Sequence, residues 1–178
     1  MHAQVILPTP RAVAWFESPV GPLIAAATAE AVCLLEFSDA ARLDSRIETL
    51  CRRHGTRAAS TPVLDELRRE LDEYFKGRRR EFSAPLVYPG TPFQERVWSA
   101  LREIRYGETW SYLDVARRIG DLKATRAVGS ANGENPIAIV IPCHRVVNAN
   151  GDLGGYGGGL WRKRILLDLE RGQHQLPL

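Results

Sequence analysis

Apolar positions change their period along this chain, and the change marks its elements. Residues 12–17, 23–27 and 31–37 are short apolar runs, the first two separated by the turn-rich insert Ser18-Pro19-Val20-Gly21-Pro22. This spacing predicts three strands joined by tight turns. The period then becomes helical. Leu43, Ile47 and Leu50 recur at helix spacing, and Leu64, Leu67, Leu71, Tyr74 and Phe75 do so more clearly, behind a Thr61-Pro62 start. The basic run Arg78-Arg79-Arg80 and residues 83–90, with Pro85 and Pro89, read as a linker. A domain boundary is expected near residue 88, which makes residues 1–88 one domain and 89–178 the other.

The second half is helical. Thr91-Pro92-Phe93-Gln94 is a capping box with proline at the first helical position, and Phe93, Val97, Leu101 and Ile104 follow on one face up to Gly107. Ser111-Tyr112-Leu113-Asp114 is a second capping box, opening a short helix through Val115, Ala116 and Ile119 that Gly120 stops. After Asp121-Leu122-Lys123 a third helix begins, with Ala124, Ala127, Val128 and Ala131 on its apolar face. Two short helices joined by a tight glycine turn form a helix-turn-helix pattern. The third helix is slim, with Arg126 as its one large basic side chain, so it suits close approach to another backbone, of protein or of nucleic acid. A closing helix is expected over residues 160–170, with Ile165, Leu166 and Leu169 inward. The fold class is therefore α+β: a small three-stranded antiparallel sheet with helices, then a mostly helical domain resembling a winged helix-turn-helix.

Candidate chemistry lies between those last two helices. In Ile141-Pro142-Cys143-His144-Arg145-Val146-Val147 a cysteine stands beside a histidine and an arginine. Neighbouring cations favour the thiolate, which is the nucleophile. The apolar run 137–141 is expected to be a strand leading into the thiol. Side chains alternate on a strand, so Cys143 and His144 can share a site only if the backbone leaves the strand near Pro142. Residues 148–159 follow with glycines at six positions around Tyr156, a loop able to lay its backbone on a flat ligand or to serve as a plain hairpin. Glu170 could orient His144 as the third member of a triad orients its base.

Composition narrows the setting. There is no run of roughly 20 apolar residues to cross a bilayer and no signal-peptide pattern at the start, so a cytoplasmic protein is expected. Cys33, Cys51 and Cys143 are too few for a disulfide scaffold and lack metal-ligand spacing. The net charge is +3, with 24 Lys+Arg against 21 Asp+Glu. Residues 1–90 hold 12 of each sign; residues 91–178 hold 12 basic and 9 acidic side chains, so the whole excess lies in the half that carries Cys143. That suits an anionic partner such as DNA or an ordinary solvated surface.

With the Pro-Cys-His-Arg run, the helix-turn-helix before it and the Gly-Tyr loop after it, the chain resembles the O6-alkylguanine-DNA alkyltransferases. The resemblance runs from Thr91-Pro92-Phe93 through Ser111-Tyr112, Arg126-Ala127-Val128-Gly129, Asn135-Pro136 and residues 141–147. It continues to Gly155-Tyr156, Gly158-Gly159-Leu160, Lys163 and Glu170. The N-terminal half matches in outline, as an RNase H-like α/β roll. The resemblance implies a methylated-DNA–protein-cysteine S-methyltransferase acting in direct-reversal DNA repair. It would move an alkyl group, typically methyl, irreversibly and once from O6-alkylguanine, or O4-alkylthymine, to Cys143 after base flipping. No cofactor or metal is implied.

Roles follow by position. Cys143, His144, Glu170 and Tyr112 would be catalytic: His144 accepts the thiol proton through a water, Glu170 holds the imidazole, and Tyr112 donates its hydroxyl to the base. Thr125, Arg126, Ala127, Gly129, Ser130, Tyr112 and Arg145 would contact DNA, with Arg126 filling the gap left by the extruded nucleotide. Asn135, Val146, Tyr156, Gly157 and Gly158 would form the substrate pocket. Some relatives carry larger residues at the Gly157 and Gly158 positions, so the pocket is expected to admit adducts larger than methyl. The implied partner is double-stranded DNA carrying O6-alkylguanine. No membrane partner is implied, and the chain would be a monomer, with cooperative assembly on DNA left open. Two rivals remain in view: a lesion sensor without transfer, and a cysteine hydrolase using Cys143 and His144.

Overall fold

The computed structural model describes residues 12–39, 57–58, 61–88 and 90–173. The chain divides into two compact units, with the division between Pro89 and Gly90. In the first, β1 (Ala12–Phe16), β2 (Leu23–Ala27) and β3 (Val32–Phe37) form an antiparallel meander. The central β2 is buried at every position, as its uninterrupted apolar sequence requires. A two-residue strand, β4 (Arg57–Ala58), adds parallel to β1 at one edge, giving the order β3-β2-β1-β4. Helix α1 (Pro62–Phe75) packs on β2 and β3, burying Leu64, Leu67, Leu71, Tyr74 and Phe75. The Thr61 hydroxyl accepts the Leu64 N–H at 3.3 Å, capping a helix whose first position is proline. The helix expected around Leu43, Ile47 and Leu50 lies outside the described residues.

Residues 78–88 are not the linker that their prolines and arginines suggest. Glu70 is fully buried on α1, and its carboxylate accepts the Ser83 N–H at 2.9 Å, the Ala84 N–H at 3.1 Å and the Ser83 hydroxyl. Arg79 lies 3.0 Å from the same carboxylate. Beyond it, Val32 and residues 85–87 exchange backbone bonds, Val32 N–H to Pro85 O at 2.8 Å and Val87 N–H to Val32 O at 2.9 Å. A buried carboxylate needs donors, and this segment supplies them.

The second unit begins with α2 (Pro92–Leu101), opened by the Thr91/Gln94 capping box. Its α-helical bonds give way near Leu101, short of Gly107, because Glu103 and Ile104 donate to Ala100 and Leu101 and tighten the last turn. Strand β5 (Trp110–Ser111) runs into α3 (Tyr112–Arg118), whose Ser111/Asp114 capping box is formed. A 3-10 turn over Leu122–Ala124 then leads to α4 (Thr125–Gly133). Helices α3 and α4 pack on each other and on α2. The α4 helix buries Val128, Ala131 and Asn132 and leaves Arg126, Ala127 and Ser130 exposed, so Ala127 lies on the outer face and not the apolar one. Small residues there allow α2 to approach, and Trp98 Nε1 donates to Ala131 O at 2.8 Å.

The expected strand over 137–141 is instead a compact turn. Ile141 N–H reaches Ile137 O at 3.0 Å, and Ile139 has φ 71. Cys143–Arg145 form a 3-10 turn, followed by β6 (Val146–Val147) parallel to β5. The apolar run is buried throughout, so its hydrophobicity reports core position rather than strand conformation. Helix α5 (Leu160–Glu170) closes the unit, burying Leu166, Leu167 and Leu169, with Ile165 only partly covered.

Candidate active site

The 3-10 turn at Cys143–Arg145 resolves the alternation problem that a strand would impose. Cys143, His144 and Arg145 are all buried, with relative exposures of 5%, 0% and 6%. Asn135 fixes the turn from the end of α4. Its Nδ2 donates to Ile141 O at 2.8 Å and to Cys143 Sγ at 3.0 Å, and its Oδ1 accepts Ile137 N–H at 3.0 Å. A donor aimed at sulfur favours the thiolate over the thiol. Asn132, one turn earlier, directs its Nδ2 at Cys143 O, 3.4 Å away.

His144 is held by Glu170. Its Nε2 lies 2.8 Å from Glu170 Oε1. The same carboxylate accepts Arg145 Nη2 at 3.0 Å, Arg145 Nε at 2.8 Å and the Gly107 N–H at 3.1 Å. Burial alone would lift the Glu170 carboxyl, but the hydrogen bond from His144 and then the bonds and charge of Arg145 reverse this and hold it well below the usual range. Burial pulls the His144 imidazole down, against the opposing pull of Glu170, so the ring rests neutral. An ionised carboxylate only accepts, so Nε2 carries the ring proton and Nδ1 keeps its lone pair. That Nδ1 is buried and has no hydrogen-bond partner.

Arg145 departs from its expected place at the DNA. Besides its bonds to Glu170, it donates from Nη1 to Ile104 O at 2.6 Å and stacks near the Tyr106 ring. Its cation is consumed in compensating a buried carboxylate.

Tyr112 reaches the site through β5·β6 pairing. The register Ser111↔Val147 sets the next residue, the first of α3, beside the cysteine turn. Burial, and then the negative charge of Cys143, raise the Tyr112 hydroxyl above its ordinary value, while a bond from the Gly155 backbone opposes them. The loop closes on this ring. A Cβ on Gly154, where φ is +65, would lie 3.1 Å from Tyr112 Oη and 3.0 Å from Asn148 Oδ1, so only glycine fits.

Lys163 holds the loop. Its Nζ donates to Val146 O at 2.6 Å, to Gly155 O at 3.1 Å and to Leu153 O, tying strand β6 to the glycine-rich segment. Burial pulls its ammonium down to about 8, with the Cys143 charge acting the other way. Sequence reasoning quoted Lys163 but gave it no role. The signal was available: Lys163, Leu166, Leu167 and Glu170 share one helical face. Asn132 and Gly107 were likewise missed.

The other expected residues fall into two groups. Val146 is fully buried behind the cysteine turn. Tyr156 is half-buried, the Gly158 carbonyl accepts Arg162 Nη1 at 2.9 Å, and a Cβ on Gly157 would meet Gly133 O at 3.7 Å. Outside, α4 presents Arg126, Ala127 and Ser130, with Thr125 at its start bonded to Leu122 O at 3.3 Å. A Cβ on Gly129 would lie 3.9 Å from the Tyr112 ring. Among the described residues no cluster of His, Cys, Asp and Glu is arranged to hold a metal ion.

Known proteins resemble the chain in both halves. Residues 13–88 match the ribonuclease-like domain of 6-O-methylguanine DNA methyltransferase, and residues 92–172 match its DNA binding domain. The chain is 47% identical over 157 residues to the methylated-DNA–protein-cysteine methyltransferase of Mycobacterium leprae, covering 88% of this chain and 90% of that protein. It is 44% identical over 156 residues to the constitutive methyltransferase of the same name in Bacillus subtilis, covering 87% and 92%. Among solved structures, Mycobacterium tuberculosis OGT in complex with DNA superposes with a TM-score of 0.79 at 41% identity, covering 91% of this chain and 94% of that one.

Proposed function

The chain belongs to the 6-O-methylguanine DNA methyltransferase family, and from that premise we propose that it repairs alkylated DNA by direct reversal, taking the alkyl group from O6 of guanine onto Cys143. One observation carries the assignment of the nucleophile. Cys143 Sγ accepts a hydrogen bond from Asn135 while the next residue, His144, is a buried neutral base locked by Glu170.

The step balances without a cofactor. His144 Nδ1 takes the thiol proton through a water, and Glu170 and Arg145 hold the ring while it carries charge. The thiolate attacks the alkyl carbon, an S–C bond forms, and the C–O6 bond breaks with its electron pair on the base. Tyr112, kept protonated by its raised pKa, directs its hydroxyl at the base. The proton lost by the thiol ends on guanine, which departs neutral. The thioether does not reverse, so each chain acts once.

DNA is the partner, and the lesion base is the substrate. O6 is out of reach of a thiol inside a paired stack, so the nucleotide is flipped out. Arg126, exposed on α4, takes its place in the stack, and Thr125, Ala127, Gly129 and Ser130 set the slim helix in the minor groove. The loop carrying Tyr156, Gly157 and Gly158 walls the base pocket. A single copy supplies every group the step needs, so we read it as acting as a monomer. None of the described helices is long and apolar enough to cross a membrane.

Intact-protein mass after mixing with duplex DNA containing O6-methylguanine tests this reading. The wild type gains one methyl in place of one hydrogen and then stops; Cys143→Ala gains nothing. Continuous turnover of an ester, or tight binding with no mass change, would sink it in favour of a hydrolase or a lesion sensor.

A further inference from the structure

Asn132 takes no part in the transfer step itself, yet it holds an unsatisfied buried atom and bonds the nucleophile's backbone. The residue is 4% exposed, and its Oδ1 has no hydrogen-bond partner. Its Nδ2 points at Cys143 O. Flipping the amide would set two oxygens face to face, so the orientation is fixed. His144 Nδ1 is also a buried acceptor without a partner, by the tautomer that Glu170 enforces. The two flank Cys143, one through its carbonyl and one as its successor in the chain. A buried acceptor left unpaired is destabilising.

Two acceptors need two protons, and the thiol needs a lone pair to donate to. One water molecule offers both. We propose that Asn132 is a positioning residue for proton transfer: its Oδ1 and His144 Nδ1 accept the two protons of a single buried water whose oxygen accepts the Cys143 S–H. On ionisation the thiol proton moves to the water oxygen while the water's own proton passes to Nδ1. The products are a thiolate, an imidazolium and a water still bonded to Oδ1. Asn132 thereby fixes the direction in which the water presents its proton. It sits on the same helix as Arg126, so the helix that meets DNA also carries part of the relay. The charged and titratable groups around the pair are Glu170 and Lys163 of α5, Arg145 of the same turn and Tyr112 of α3.

This inference rests on Cys143 as the nucleophile, and its test does not need methyl transfer. The rate at which iodoacetamide modifies Cys143, read by peptide mass, is measured against pH for wild type, Asn132→Leu, His144→Ala and the double variant. Asn132→Leu moves the midpoint up by about one pH unit and slows modification near pH 7 roughly tenfold. In the His144→Ala background it changes nothing further. A folded Asn132→Leu with an unmoved midpoint, or an equal shift without His144, overturns the relay. A high-resolution crystal structure of the wild type gives an independent reading should a variant fail to fold: it must hold a water bonded to Oδ1, Nδ1 and Sγ, and its absence overturns the proposal. Wild type that takes no methyl from DNA would defeat the functional reading and leave the relay to stand or fall on the pH profile.

Discussion

Glu170 ends a helix, where the dipole disfavours a negative charge, and it is buried as well. It survives there because four donors meet its two oxygens and two of them belong to one permanent cation, Arg145. Removing it would leave Arg145 buried without its partner. Glu170→Ala is therefore expected to lose about 3–5 kcal/mol in urea unfolding at neutral pH, along with transfer activity. The sign of the pH dependence follows from the lowered carboxyl. The folded state binds this proton less readily than the unfolded chain, so the stabilisation is complete above the ordinary glutamate range. It is lost as pH falls toward the folded value. The stability gap between wild type and variant should be widest near pH 7 and shrink below about pH 4. A gap that stayed constant into acid would show that the carboxylate's charge is not what stabilises the turn.

At the scale of elements, the glycine-rich loop depends on one side chain. Lys163 satisfies carbonyls of β6 and of the loop at once. Lys163→Met keeps the length and the apolar stem but leaves those carbonyls without their donor. Faster amide exchange confined to residues 151–158, with an overall loss of about 1–3 kcal/mol, is the expected result; unchanged exchange there would mean that the loop holds itself. Such ties also explain which elements were legible in sequence. Helices α1, α2 and α3 announce themselves through Thr61, Thr91 and Ser111, because caps act within a few residues. The three long strands show as apolar runs. The turn at 137–141 does not, since burial from all sides erases any period. Two-residue strands such as β4, β5 and β6 carry no pattern of their own, and the anchoring of residues 83–84 by Glu70 depends on a partner 13 or 14 positions away. Cys143, His144 and Glu170 stood out by residue type. Arg145 misled because an arginine reads as surface until its buried carboxylate is seen.

Across the whole molecule, charge is divided unevenly. Residues 1–90 are balanced, and residues 91–178, which hold Cys143, carry the entire excess of +3. So small an excess provides weak long-range attraction, which salt screens within about 10 Å at ordinary ionic strength. On the proposed function recognition then comes from short-range contacts, which we assign chiefly to α4, where Arg126 is the only charged side chain. Its contribution can be separated from the chemistry. Extruding a nucleotide costs a few kcal/mol, and a guanidinium filling the gap recovers part of that cost. Free O6-methylguanine base needs no extrusion, so on the proposed function its reaction depends on the groups around Cys143 and not on Arg126. Arg126→Ala is thus expected to slow single-turnover transfer from duplex DNA by roughly tenfold or more, equivalent to about 1.4 kcal/mol, while leaving the rate with the free base unchanged at the same salt concentration. Equal slowing of both substrates would move Arg126 from the DNA to the pocket, and equal rates for duplex in wild type and variant would mean that another group holds the stack open.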